Sequence, residues 1–419
     1  MEINWKTLSR AERKSAKAIF TIPDDVKTAI LPSSDLSLLE MLRYRLPPVS
    51  LKRTHVMSRE KFFSTTLPTA IIPEHLTRLR ELPIPPSDMV HKLMAIAGNR
   101  FATGACSVSY AHVTSESITY PMFIIPLWNA ILLHREQCQN PWIEVEKWLA
   151  EMKRSPHHEE RSKCADSTLT WMDEVPWGMK KMGFPDTLPM VHLWRLLGQN
   201  WTNDTVQDDL LTILQERIDA DSKLAEKFII QCTSFTEKVL EAAAHPDKYW
   251  TEKSWKWLRD IGEQVFGGKK VLITSVHLGK LPSQVEGDDG TEHWVPFIID
   301  GEQDTFRYGD TLASGEAQIP PKLLDAYMKW RAVHSATQLS PAIVHLRMTK
   351  QRDGFSCRPL LWNGLENFVF PEETPLCAGS ITTDDIPCLR MHVFEQIVRR
   401  CLHYVHIRSS VNIHRKYSP

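Results

Sequence analysis

The spacing of apolar residues changes character along this 419-residue chain. In NPWIEVEKWLAEMK, Trp142, Val145, Trp148, Leu149 and Met152 recur at i, i+3, i+6, i+7 and i+10, one face of an amphipathic helix. In NDTVQDDLLTILQERI (203–218), Val206, Leu210, Ile213 and Leu214 form a helical stripe that Leu211 and Ile218 widen. Asp204 sits near its start, where the helix dipole favours a carboxylate. Helical runs are also predicted over 222–244, 254–266, 321–333, 357–370 and 389–402. Between them the pattern is that of strands. VLITSV (271–276) reads as a buried strand, HWVPFIID (293–300) and DTFRYGD (304–310) as a hairpin closed at Asp300-Gly301, and AIVHLRM (342–348) as a further strand. A helical bundle on one side of a short mixed sheet is an α+β arrangement.

The N-terminal part reads differently. Pro23, Pro32, Pro47, Pro48, Pro68, Pro73, Pro83, Pro85 and Pro86 separate short apolar pieces, which predicts an irregular, partly extended region with a few short helices. From about 120 to 153 the pattern becomes helical. The longest apolar stretch, YPMFIIPLWNAILL (120–133), is too short and too interrupted by proline to span a bilayer, so it belongs to a core. A charged connector follows from residue 153, and the domain boundary is placed before about 185. The chain therefore divides into an N-terminal region over 1–165, mostly helical and irregular, a linker over 166–185 and a C-terminal domain over 186–419.

Composition narrows the function classes. Apolar residues make up 42% and there are 14 tryptophans, enough to bury a real core. Fifty lysines and arginines nearly cancel 51 aspartates and glutamates, so charge offers no general attraction to nucleic acid or membrane. The start, MEINWKTLSRAERKSAK, is polar and charged and does not read as a secretory signal. The eight cysteines, at 106, 138, 164, 232, 357, 377, 388 and 401, form no CxxC pair, which argues against a zinc ribbon and against a disulfide framework. A reducing intracellular compartment, nucleus or cytoplasm, is expected. His157 and His158, near Cys164, lie in the charged run KRSPHHEERSK and read as solvated linker rather than as a metal cluster. No metal and no cofactor are expected.

One junction carries chemistry. In QRDGFSCRPLLW (351–362) a polar, turn-prone run ends in Cys357, followed by Arg358, Pro359 and an apolar stretch. A thiol at a helix start is where the dipole and the unpaired N–H groups favour thiolate. A thiol nucleophile also needs a histidine to accept its proton, a carboxylate to orient that histidine and donors for the oxyanion. His293 opens one predicted strand and Asp310 follows the next, so a tight hairpin puts both at the same sheet edge. Gln351 precedes Cys357 by six residues through a turn holding Asp353 and Gly354, which lets its amide fold back beside the thiol. Taken singly, each residue has a plainer reading: a structural histidine, an inert cysteine, a turn aspartate.

Taken in order, His293-Trp294, Asp310 in YGDTL, Gln351 and Cys357 resemble the ubiquitin-like-protein-specific cysteine proteases, the SUMO-protease family with the adenain-like, papain-like fold. WTND (201–204) resembles that family's Trp-Leu-Asn-Asp motif at a helix start. The resemblance covers about residues 185–405. It implies a thiol protease or isopeptidase that cleaves after the C-terminal Gly-Gly of a ubiquitin-like modifier, SUMO-like by preference. His293, Asp310 and Cys357 would be catalytic, with Gln351 as oxyanion donor. Trp201 and Trp294 would wall a tunnel that admits only glycine, and Asp204 would hold the modifier's basic tail region.

Three departures accompany it. Arg358 stands where the family has glycine, Thr202 stands where it has leucine, and GKLPSQVEGDDGTE (279–292) is a long acidic insertion before His293. Arg358 would either obstruct the acyl pocket or point to solvent; the insertion reads as a surface loop that could gate access. Two other functions use the same residues: an acyltransferase passing an acetyl group through a Cys357 thioester, and a catalytically impaired scaffold that binds modifiers. The N-terminal region matches no motif and suits docking of protein partners.

Overall fold

The computed structural model describes residues 9–50, 62–68, 76, 79–110, 119–154, 159–202, 204–280, 293–335, 337, 339–377 and 385–416. The insertion before His293, from 281 on, His157, His158 and Asn203 lie outside them. By its contacts the chain forms two compact units, one of residues 1–146 with 172–179, the other of 147–171 with 180–419.

In the first unit the proline-rich sequence still builds a core. Helices Arg10–Phe20, Asp24–Ile30 and Leu38–Arg43 come first, the last opened by a capping box in which Ser37 and Glu40 exchange side-chain and backbone hydrogen bonds of 3.1 and 2.8 Å. Two longer helices follow, Ser87–Ala102 and Ile124–His134. Val90, Leu93, Met94 and Ala97 of the first and Ile124, Leu127, Trp128 and Ile131 of the second share one buried cluster. A small antiparallel sheet, β1 (Phe63–Ser64), β2 (Ser107–Ser109) and β3 (Thr119–Pro121), completes it. Among the described residues no helix is long and apolar enough to cross a membrane.

The second unit is α+β. Its sheet has the order β4 (Phe228–Ile230), β5 (Val271–His277), β6 (Trp294–Asp300), β7 (Thr305–Tyr308) and β8 (Ala342–His345). The outer pairs, β4 with β5 and β7 with β8, are parallel and the inner pairs antiparallel. The central strands are buried on both faces, which is why they read as continuous apolar runs. The two-residue strand period sorts them. Leu272, Val295, Phe297, Ile299 and Phe306 pack with helices Phe235–Ala244, Lys256–Gly262 and Pro321–His334. Val271, Ile273, Trp294 and Ile298 face helices Asp204–Asp219 and Cys357–Val369. The sheet is therefore covered on both sides, where the sequence predicted helices on one. The same alternation puts Trp294 on the side of Cys357.

The hairpin pairs Asp300 with Thr305, and the Asp300 carboxylate accepts N–H bonds from Glu302 and Gln303 at 3.1 and 2.9 Å. A Cβ on Gly301 would come within 1.8 Å of the Val265 carbonyl oxygen, so the turn admits only glycine. Two stretches differ from the sequence reading. The helical run expected over 222–244 breaks into Ser222–Lys227, strand β4 and Phe235–Ala244, because Phe228, Ile229 and Ile230 pair with Val271, Leu272 and Ile273. Tertiary pairing overrides helix propensity there. Residues 159–174, placed in the connector, form a helix with Cys164, Ala165 and Thr168 buried.

Candidate active site

His293 stands immediately before β6, and Asp310 two residues beyond β7. A Cβ on Gly309 would lie 2.8 Å from the Leu346 carbonyl oxygen, so glycine lets the chain run close to its neighbour before Asp310 turns inward. The Asp310 carboxylate then meets His293 Nε2 at 2.7 Å and also accepts the Leu312 N–H at 2.7 Å. With Nε2–H committed to Asp310, Nδ1 is the nitrogen left for another partner. That partner is the Cys357 thiol, hydrogen-bonded to His293.

Cys357 is the first residue of helix Cys357–Val369 and is 1% exposed. Burial alone would push its thiol up. The hydrogen bond from His293, the Trp294 backbone N–H and the positive charges of His293 and Arg358 outweigh that and hold it below the usual thiol range. For His293, burial alone would lower the imidazole, but its hydrogen bonds to Asp310 and Cys357 raise it to about 9. Burial would raise Asp310, yet His293 and the Leu312 N–H hold it below the usual carboxylate range. The three groups are poised as a thiolate–imidazolium pair backed by a carboxylate.

The loop before Cys357 is tied down by its own polar atoms. Asp353 Oδ1 accepts the N–H groups of Phe355 and Ser356 at 3.0 and 2.8 Å, an Asx-type turn feeding the helix. Gln351 is buried. Its backbone N–H donates to the Thr311 carbonyl at 2.7 Å and its Oε1 accepts the Thr311 hydroxyl at 3.0 Å. Its Nε2 donates to the Asp353 carbonyl at 2.7 Å. Gln351 thus fastens the nucleophile loop to the turn that carries Asp310, and its amide is bonded to Asp353 rather than to the thiol.

The two substitutions in the motifs meet each other. Arg358 is buried and neither points to solvent nor stands alone. Its guanidinium lies 4.9 Å from the centre of the Trp294 ring, donates to the Thr202 hydroxyl at 3.2 Å and to Asp204 Oδ1 at 3.0 Å. Trp294 is fully buried, with the His277 ring centroid 4.8 Å away on a tilted plane. Trp201, by contrast, is 49% exposed, and no ring contact joins it to Trp294 among the described residues. So Asp204, Thr202 and Trp294 are gathered around Arg358, with Trp201 at the surface beside them in sequence.

Sequence reasoning missed Arg390. It is 1% exposed, on helix Asp385–Lys416, and donates to the Phe355 carbonyl at 3.4 Å, the Arg195 carbonyl at 3.0 Å and the Asn200 carbonyl at 2.6 Å. One guanidinium therefore braces both the loop before Cys357 and the segment before Trp201. In the sequence it is one arginine among several on a helix, and only its burial in space sets it apart; that burial brings its guanidinium down to about 10, against the raising effect of Asp353 and Cys357.

No protein-family model matches the chain, and no curated protein matches it. Several solved structures do. The C-terminal protease domain of yeast Ulp1, solved in complex with Smt3, the yeast ortholog of SUMO, is 17% identical, with 57% of this chain and 96% of that one covered at a TM-score of 0.41. The catalytic domain of the Ulp1-like SUMO protease of Chaetomium thermophilum is 14% identical, covering 57% and 88% at 0.41. ChlaDub1 of Chlamydia trachomatis is 12% identical, covering 48% and 92% at 0.30.

Proposed function

We propose that this chain is a thiol peptidase or isopeptidase acting after the Gly-Gly end of a ubiquitin-like modifier, SUMO-like by its motifs. The hydrogen-bonded series Cys357, His293, Asp310 carries the reading. A thiolate held below the ordinary thiol range attacks the terminal glycine carbonyl, and the tetrahedral oxyanion meets the Cys357 N–H at the helix start. Gln351 contributes its amide once that group turns from Asp353. The imidazolium of His293 gives its proton to the leaving lysine amine, and the thioester forms as the C–N bond breaks. Water then attacks the thioester with His293 as base, releasing the modifier carboxylate and the thiol. Asp310 keeps its proton-poor state throughout and fixes the ring.

The cover over Trp294 favours a second reading, a domain that binds modifiers without turning them over. One experiment separates the two. The full chain and Cys357→Ala are exposed to a panel of ubiquitin-like proteins that carry an electrophile in place of the terminal glycine. Covalent capture of one modifier, lost in Cys357→Ala, supports the peptidase and names the modifier. A folded protein that captures none, yet retains unmodified SUMO-like protein on a column, supports the binding domain.

A further inference from the structure

Far from the thiol site in sequence, a second group of reactive side chains converges. Glu160 and Cys164 stand four residues apart on helix Glu159–Glu174, and Cys388 and His392 four apart on helix Asp385–Lys416. That spacing puts each pair on one helix face. Cys164 Sγ lies 3.5 Å from His392 Nε2 and 3.9 Å from Glu160 Oε1, and the Cys164 and Cys388 thiols share a hydrogen bond. The ligand atoms of Glu160, Cys164 and His392 all lie within 4.8 Å of one another. Neither cysteine is in a disulfide.

These separations match a coordination polyhedron. In a tetrahedral zinc site with Zn–S of about 2.3 Å and Zn–N of about 2.0 Å, sulfur and nitrogen ligands stand about 3.5 Å apart. A thiol–imidazole hydrogen bond alone explains that one distance. It does not explain why the Glu160 carboxylate converges on the same point. We propose that Glu160, Cys164 and His392 form a three-ligand site for a zinc-class divalent cation, with Cys388 beside it as the hydrogen-bond partner of Cys164. A thiolate and an imidazole select such an ion over magnesium or calcium, which require oxygen. The cysteines are buried while Glu160 and His392 reach solvent, so an ion has a way in. The ion's role is to clamp the two helices, which supply Glu160 and Cys164 from one side and His392 from the other. Arg390 lies between Cys388 and His392 on the clamped helix, so the ion also steadies the brace on the Cys357 loop.

The test uses the full chain in a Cys357→Ser background, so that the Cys357 thiol adds nothing to the metal count. Metal content after desalting is measured by mass spectrometry. Metal-stripped protein is then titrated with zinc against a chromophoric chelator, and with cobalt by absorption. The proposal expects about one equivalent of zinc, a thiolate-to-cobalt charge-transfer band with intense tetrahedral d–d bands, and an affinity weakened about tenfold or more in His392→Ala and in Cys164→Ser. His392 is exposed, so its variant keeps the fold, and circular dichroism checks both. A folded protein that takes up no zinc and gives no cobalt spectrum overturns the site. So does full loading of the Cys164→Ser, His392→Ala double variant, or a Cys164–Cys388 disulfide that persists in reducing buffer.

Discussion

Replacing Arg358 with glycine tests whether the cover over Trp294 controls access to the thiol. In the structure this guanidinium occupies the Trp294 face and the Asp204 carboxylate, the two groups that the proposed function gives to substrate. Three contacts hold it. The cation–π contact is worth roughly 0.5–2 kcal/mol. The pair with Asp204, whose side chain is 47% exposed, is worth about 0.5 kcal/mol after solvent screening. The hydrogen bond to Thr202 adds about 1 kcal/mol. Releasing a buried arginine side chain returns about 1.5 kcal/mol of rotamer entropy, so the covered state is favoured by a net of roughly 0.5–2 kcal/mol. That corresponds to about 2–30 covered molecules for each open one, and the apparent affinity for a ligand that needs the open face falls by the same factor.

Arg358→Gly should therefore speed covalent capture of a Gly-Gly electrophile about 2–30-fold under conditions where binding limits the rate. An opposing effect can be separated from it. Arg358 is one of the positive charges that hold the Cys357 thiol down, so the variant's thiol moves up and its reaction with iodoacetamide at pH 6 slows. Measuring modifier capture and iodoacetamide alkylation side by side at pH 8.5, where the thiolate is populated in both proteins, isolates the access term. Thr202→Val removes one hydrogen bond without touching the charge and should give a smaller gain, about 2–10-fold. If Arg358→Gly captures the modifier no faster than wild type while iodoacetamide still reaches its thiol, the cover does not govern access and the reasoning fails.

Four further outcomes follow from the structure. The pH profile of modifier cleavage should have its acid limb below the ordinary thiol range, set by Cys357, and an alkaline limb near pH 9, where His293 loses the proton that the leaving amine needs. His293→Gln removes the cation and leaves the buried thiol to rise, so iodoacetamide alkylation of Cys357 at pH 7 should slow about 10²-fold; an unchanged alkylation profile would refute the ion pair. Asp310→Asn keeps the shape but lets the imidazole choose the wrong tautomer, and cleavage should fall by about 10²–10⁴-fold with modifier binding retained, measured as kcat against KM. Arg390→Met leaves the Arg195 and Asn200 carbonyls without their charged donor and should cost about 3 kcal/mol in urea unfolding.

Much of this was legible because it is local and periodic. Strands β5 to β8 and the helix opened by Cys357 show in the sequence as two- and 3.6-residue spacings, and a hairpin needs only Asp300-Gly301 and two apolar runs to bring His293 and Asp310 to one edge. What spacing leaves open has a common cause. Phe228–Ile230 carries residues that serve a helix or a strand, and only its pairing with Val271–Ile273 decides. Six residues of separation bring Gln351 near Cys357, but its bonds to Thr311 and to the Asp353 carbonyl are choices between neighbouring partners that spacing does not contain.

Arg358 shows where such reading stops and what it still offers. Treated separately, the arginine after the nucleophile and the threonine after Trp201 were two faults in a motif, 156 positions apart. In space they are one interaction, Arg358 to Thr202, with Asp204 beside it. Leucine at 202 would offer the guanidinium no acceptor, and glycine at 358 would leave Thr202 with nothing to bind. The two departures are therefore a matched pair that places a guanidinium over Trp294. A site losing its function by drift would lose the nucleophile, the base or the carboxylate as readily as it gained a fitted cover; here all three remain hydrogen-bonded beneath it. Under the proposed function the combination reads as a thiol site with a covered approach, which is why Arg358→Gly and Thr202→Val, rather than substitutions of Cys357, are the changes that discriminate.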